Sequence, residues 1–313
     1  MRPLLPCLAV LVVAHKTHFN GSCGESYTKE APEALSSSLL QNAARLGSLP
    51  SDIPASKRTI NSKVRFVFFA GLEGTGHHFW KGILLRLPSI YVSAQTAELS
   101  KTLFNGPTGD GLFSSLDEYL RVQSGQRVVS LMAEMNNELS ITPGCKLIPL
   151  NLQHDADIGM MSYPNFEGVD RATQNPDIFE LAKLAEAAGV DLRIVLLTRH
   201  PSDLVQSEMK NLHEINKVQA VRKISTSMAL LSEQLNFLDP SFVECWRYEE
   251  PLAKSLQLLS FLGLCEENLE NFQLLLKENY NASSNGFPAL SRELQVTLST
   301  AQEMHQRLMT KWC

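Results

Sequence analysis

"VRFVFFAGLEGTGHHFW", residues 64–80, is the stretch whose reading decides the fold. Val64–Ala70 is an almost continuous β-branched and aromatic run, the pattern of a strand buried on both faces of a parallel sheet. Three glycines follow within six residues, Gly71, Gly74 and Gly76. The apolar pattern then changes period and predicts a helix over His77–Leu87, stopped by Pro88. A glycine-rich turn between strand and helix lets backbone N–H groups from about Glu73 to His78 turn inward, and the helix adds its positive end. That arrangement cradles phosphate. The loop of nucleotide kinases reads G-x-x-x-x-G-K-[ST], however, and His77 and His78 stand here where Lys and Ser/Thr belong. The same spacing also occurs in tight turns that bind nothing, so a second element has to decide.

That element is "NPDIFELAKLAEAAGVDLRIVLLTRHP", residues 175–201. Asn175 can cap a helix with Pro176 at its first position. Ile178, Leu181, Leu184, Ala185 and Ala188 make one apolar stripe, and Gly189 ends it. "LRIVLLT" is a second buried strand. Helix then strand, with the first strand upstream, implies an α/β fold: a central parallel sheet flanked by helices in three layers. Arg199 falls at the carboxyl end of the second strand, where open α/β sheets place ligands. Pro201 starts the next helix and Ser207 lies two turns in, so an Arg fork and a helix hydroxyl can hold a second phosphate apart from the glycine loop. Between these units, "SIYVSA" (89–94), "QRVVSLMA" (126–133) and "DIGMMSY" (157–163) read as strands and "LFSSLDEYLR" (112–121) as a helix.

The chain has 313 residues, 44% of them hydrophobic, and a formal charge of −5. The charge argues against a nucleic-acid partner, which needs a basic face. Residues 1–14 read as a signal peptide: Arg2, an apolar run from Leu4 to Ala14, and "VVA" before a cleavage site after Ala14, with a short anchor as the alternative. Residues 15–60, rich in Ser, Ala, Pro and Asn, read as a stem or linker, and 61–313 as the folded domain. Asn20 and Asn281 stand in glycosylation sequons. Of six cysteines, Cys7 would leave with the signal; Cys23, Cys145, Cys245, Cys265 and Cys313 remain, an odd number whose disulfide pairing stays open. No metal is expected. Neighbouring histidines lie about 100° apart on a helix, and no further ligand sits at the required spacing.

Three elements together resemble the P-loop sulfotransferase family, which transfers sulfonate from 3′-phosphoadenosine 5′-phosphosulfate (PAPS). "GLEGTG" stands where that family has P-K-S-G-T-T, and "RHPSDLVQS" matches R-x-P-x-x-x-x-x-S, with Ser207 eight residues after Arg199. "FVECWRYEEPLAKSLQLLSFLGL" (242–264) resembles the family's Y-E-[DE]-L…F-L-G-[LI] segment, so the likeness runs from about Lys63 to Leu264. It implies a P-loop fold with PAPS as co-substrate. Gly71, Glu73, Gly74, Thr75, Gly76, His77 and His78 would lie at the 5′-phosphosulfate, and Arg199, Ser207 and a late basic residue, Arg292, at the 3′-phosphate.

The departures are specific. Leu72 stands at the family's lysine, Glu73 at its serine and Gly76 at its second threonine. A carboxylate at Glu73 is unfavourable beside a dianionic donor unless it points away or is paired. His77, His78 or Lys81 would supply the missing charge, the histidines also serving as donors or as a base. Secretory relatives carry a catalytic Glu after their second strand; here Gln95 lies near that position and Glu98 three residues on. Soluble relatives carry a His ahead of the 3′-phosphate motif; "MMSYPNF" offers Ser162 and Tyr163 there, with His154 and Asp155 further off. Glu249 reads as a structural carboxylate at a helix start. The resemblance implies a hydroxyl acceptor (a glycan, a protein tyrosine or a small alcohol) in the Golgi lumen or outside the cell, with no membrane partner beyond a short N-terminal anchor. The alternatives are a non-catalytic PAPS- or nucleotide-binding protein and a nucleotide kinase-like enzyme.

Overall fold

The computed structural model describes residues 63–104, 111–113, 117–154, 158–160, 162–164, 178–210, 216–264, 269–280 and 291–313. The expectations for the signal peptide, the stem, both sequons and Asp155 lie outside these residues. The described residues belong to one compact unit, Arg58–Cys313.

The run Val64–Ala70 forms β1, and His77–Leu84 forms α1 directly after the glycine loop. Ala94–Phe104 is α2 and Glu118–Ser140 is α3. Two short strands, β2 (Lys146–Pro149) and β3 (Leu152–His154), precede β4 (Ile158–Met160). Then come α4 (Ile178–Ala187), β5 (Asp191–Thr198), α5 (Pro201–Lys210) and α6 (Lys217–Asn236). β6 (Val243–Arg247), α7 (Ser255–Leu262), α8 (Leu269–Asn279) and α9 (Arg292–Trp312) complete the described chain.

Four strands make a parallel sheet in the order β2-β1-β5-β6, and β3 and β4 pair antiparallel beside it. The alternation of β1 builds the layers. Phe66, Phe68 and Ala70 face a core that holds residues of α2, α3, α4, α5, α6 and α9. Val67 and Phe69 face a second core with residues of α1, α7 and α8. β5 divides in the same way, Leu192, Ile194 and Leu196 to the first core and Val195 and Leu197 to the second. Both faces are covered, as the unbroken apolar runs require. Each fully buried phenylalanine of β1 contributes about 2–3 kcal/mol.

Two sequence expectations fail. "QRVVSLMA" lies inside the 23-residue helix α3, not in a strand. Its buried residues Gly125, Val128, Leu131, Met132, Met135 and Leu139 recur every three or four positions, and Asp117 caps the helix by accepting the N–H groups of Tyr119 and Leu120. Two adjacent valines give a short window a β look that the longer period overrides. "SIYVSA" makes only one parallel bridge, Ile90 to Leu147. Ser93 and Thr96 then bond reciprocally, side chain to backbone, and turn the chain into α2. The strand "DIGMMSY" narrows to β4, and β2 was not foreseen.

Strand register sets the edge at which the loops gather. Ala70 of β1 lies beside Leu196 of β5, and Thr198 beside Arg247 of β6. Because the strands are parallel, the chain leaves their carboxyl ends on one edge at Gly71, Arg199 and Tyr248. The Tyr248 N–H donates to the Thr198 carbonyl at 2.9 Å across that edge.

Candidate functional site

The loop is anchored at both ends. The Gly71 N–H donates to the Tyr163 carbonyl at 2.8 Å, and the Tyr163 N–H returns a bond to the Gly71 carbonyl at 2.9 Å. A Cβ at Gly71 would lie 2.9 Å from the Leu197 carbonyl oxygen, so only glycine fits this close approach to β5. Gly76 caps α1 with φ 116°, and the Gly76 carbonyl accepts the first helical bond, from the Trp80 N–H. The N–H groups of His77, His78 and Phe79 have no intrahelical acceptor, as at any helix start, and a helix end of this kind favours negative charge.

The sequence elements read as binding opposite ends of a nucleotide meet at Gly74. Arg199 Nη1 donates to the Gly74 carbonyl at 2.9 Å, and the Arg199 guanidinium lies 4.4 Å over the Tyr248 ring. Arg199 Nε is buried with no hydrogen-bond partner among the described residues. Ser207 stands so near Gly74 that a Cβ there would come within 2.9 Å of Ser207 Oγ. Tyr248 and Trp246 press on Gly76 in the same manner, at 3.0 and 3.1 Å from its hypothetical Cβ. The third element is therefore brought to the loop through Tyr248, which the sequence reading did not single out. The Glu249 carboxylate accepts the His200 N–H at 2.6 Å, the structural role expected of it.

Gly74→Ala is expected to cost about 1–2 kcal/mol from its left-handed backbone (φ 83°) and to push Ser207 aside. Melting and nucleotide-affinity measurements should both register the change. A variant unchanged in both would show that the loop does not depend on this conformation.

Other expected site residues fall differently. Thr75 is buried, and both its N–H and Oγ1 are turned inward to the Leu72 carbonyl, at 3.1 and 2.7 Å. It locks the loop and presents no donor to a ligand. Leu72, at the position of the family's lysine, is 1% exposed and packed in the first core. His77 is 3% exposed, and neither ring nitrogen has a well-formed hydrogen bond. Burial pushes its imidazole down to about 4, against the opposing pull of Glu73. It is neutral at neutral pH and brings no positive charge to the loop. His78 is exposed on the next position.

Glu98 is exposed on the surface shared by α2 and α3, where Arg127 Nε donates to its carboxylate at 3.0 Å. Gln95 bonds Glu138 on the same surface. Arg292 is exposed at the start of α9, and the described contacts do not join it to the loop. His154 ends β3. Ser162 is brought in: its Oγ donates to Glu73 Oε2 at 2.7 Å. The carboxylate that looked unfavourable is paired with a hydroxyl. No His, Cys, Asp or Glu grouping among the described residues suits a metal ion, and no described helix is long and apolar enough to cross a membrane.

Fold and site thus define an α/β protein in which a glycine loop, Arg199 and Ser207 converge on one edge of a parallel sheet. The chain matches no protein-family model and no curated protein. Among solved structures it is similar to the sulfotransferase domain from the Synechococcus PCC 7002 olefin synthase, at 14% identity over 80% of this chain and 98% of that one, with a TM-score of 0.40. It is also similar to the sulfotransferase domain from the curacin biosynthetic pathway, at 15% identity over 79% of this chain and 91% of that one, with a TM-score of 0.35. Likenesses at this level carry no argument, and the functional reading rests on the residues themselves.

Proposed function

We propose that this protein transfers a sulfonate group from PAPS to a hydroxyl acceptor, a glycan, a protein tyrosine or a small alcohol, in the secretory pathway. One observation carries the reading: Arg199 and Ser207 converge with the glycine loop at Gly74, and Arg199 keeps a buried donor without a partner among the described residues. PAPS, when bound, supplies the reactive sulfonate. The loop backbone and the positive end of α1 hold its 5′ side, while Arg199 and Ser207 hold the 3′-phosphate. The signal-like start and the sequons support the secretory setting.

The test is sulfonate transfer from PAPS to a panel of glycan, peptide and small-alcohol acceptors, with adenosine 3′,5′-bisphosphate binding measured alongside. Arg199→Ala is expected to cost about 2–4 kcal/mol of bisphosphate affinity, as for a lost charge-assisted contact, and little for a ligand without the 3′-phosphate. Equal losses for both ligands would make Arg199 a purely structural residue.

A second reading is favoured by two facts at the loop: Leu72 is sealed in the core and His77 is neutral. If His78 and Lys81 supply no charge either, the protein would bind the nucleotide without turning it over. Bisphosphate binding with no transfer to any acceptor would support it. Stabilisation by ATP and magnesium but not by the bisphosphate would support a kinase-like enzyme instead.

A further inference from the structure

We propose that Glu73 takes the proton from the acceptor hydroxyl and that Ser162 positions its carboxylate, an assignment that rests on the sulfonate-transfer reading. Proton removal at the attacking oxygen needs a group at the loop that is basic, reachable and held still. Glu73 is partly exposed on the loop itself, between Leu72, which turns into the core, and Gly74, which receives Arg199 and Ser207. Its partner Ser162 is fully buried and cannot wander. The next residue, Tyr163, is bonded twice to Gly71 and packs its ring 5.2 Å from Phe68 and 5.0 Å from Phe113. The root of the loop and the group that orients Glu73 are therefore one rigid unit.

The chemistry of the pair fits a base. A neutral hydroxyl such as that of Ser162 orients the carboxylate without itself cancelling its charge. Glu73 acts electrostatically on His77 of α1, and Arg199 bonds the carbonyl of the neighbouring Gly74. Of the competing groups, His78 is exposed at the start of α1, and the others are engaged or sealed. His77 lies buried beneath the loop, Glu98 is held by Arg127, Glu249 by the His200 N–H, and Glu250 by Arg247. A carboxylate inside an anion cradle opposes donor binding, and proton acceptance gives it a use there.

In the step, the acceptor oxygen forms a bond to sulfur while its proton passes to the Glu73 carboxylate. The bond from sulfur to the bridging oxygen breaks, and its electron pair leaves with the 5′-phosphate of adenosine 3′,5′-bisphosphate. Water then removes the proton from Glu73.

The experiment compares wild type, Glu73→Gln, Glu73→Ala, Ser162→Ala and Ser162→Thr in the full chain. Bisphosphate affinity is read by calorimetry, and kcat and KM are read with PAPS and an acceptor the wild type uses. Glu73→Gln is expected to lower kcat by about 100-fold or more while bisphosphate affinity holds or tightens. Added formate should restore part of the turnover of Glu73→Ala. Ser162→Ala should lower kcat by roughly tenfold with KM kept, and Ser162→Thr, which retains the hydroxyl, should recover it. Normal kcat in Glu73→Gln, or loss of turnover in Glu98→Gln instead, overturns the assignment and leaves sulfonate transfer standing. Wild type that binds the bisphosphate but transfers to no acceptor also overturns it, in favour of the non-catalytic reading. Wild type that binds neither PAPS nor the bisphosphate removes both the assignment and the function on which it rests.

Discussion

Leu72→Lys is expected to destabilise the fold by about 4–6 kcal/mol, although it introduces the residue that the loops it resembles carry at this position. Leu72 is 1% exposed and belongs to the first core, and its carbonyl accepts both donors of Thr75. A lysine here must either bury its amine uncharged or pull the loop open, and both outcomes forfeit the packing of the leucine. A fall in melting temperature of roughly 10 °C or more should result for a domain of this size. Leu72→Met, which conserves volume, should cost less than about 1.5 kcal/mol. If Leu72→Lys melts like the wild type and turns PAPS over faster, residue 72 reaches the ligand and its buried placement is wrong.

Cys313→Ser is expected to cost about 4 kcal/mol, the chain-entropy value for a loop closed over 68 residues. Cys313 bonds Cys245 in β6 and so ties the end of α9 to the sheet, next to the edge where Trp246 and Tyr248 press on Gly76. Cys145 is disulfide-bonded as well. Melting of wild type and variant with and without a reducing agent separates the contributions. Reduction should lower the wild type by more than it lowers Cys313→Ser. A variant as stable as the oxidised wild type would show that packing of α9 on α6 alone holds that end.

Much of the fold was legible because its strands obey local rules. β1 and β5 are buried on both faces, and a parallel strand so placed has to be apolar throughout. The glycine loop was legible for a similar reason: Gly74 and Gly76 take backbone angles that other residues rarely adopt. α3 was misread where two valines imitated a strand, since the information lay in a period spread over 23 residues. The inward turn of both Thr75 donors to the Leu72 carbonyl was not legible, because spacing identifies a loop residue but not the direction in which its donors turn.

The sequence by itself determined the pieces: two buried strands, a glycine turn before a helix, and an Arg–Ser pair at a strand end. Each arises from periodicity, backbone freedom or residue chemistry within a short window of neighbouring positions. Only the tertiary structure decided which side chains meet. The parallel register of β1, β5 and β6 brings Gly74, Arg199 and Tyr248 to one edge, though Gly74 and Arg199 are 125 positions apart. The pairing of Gly71 with Tyr163 sets Ser162 against Glu73 across 89 positions. Burial placed Leu72 in the core and disfavoured the charged form of His77. Such contacts depend on packing between distant segments, and no local pattern records which segment will arrive.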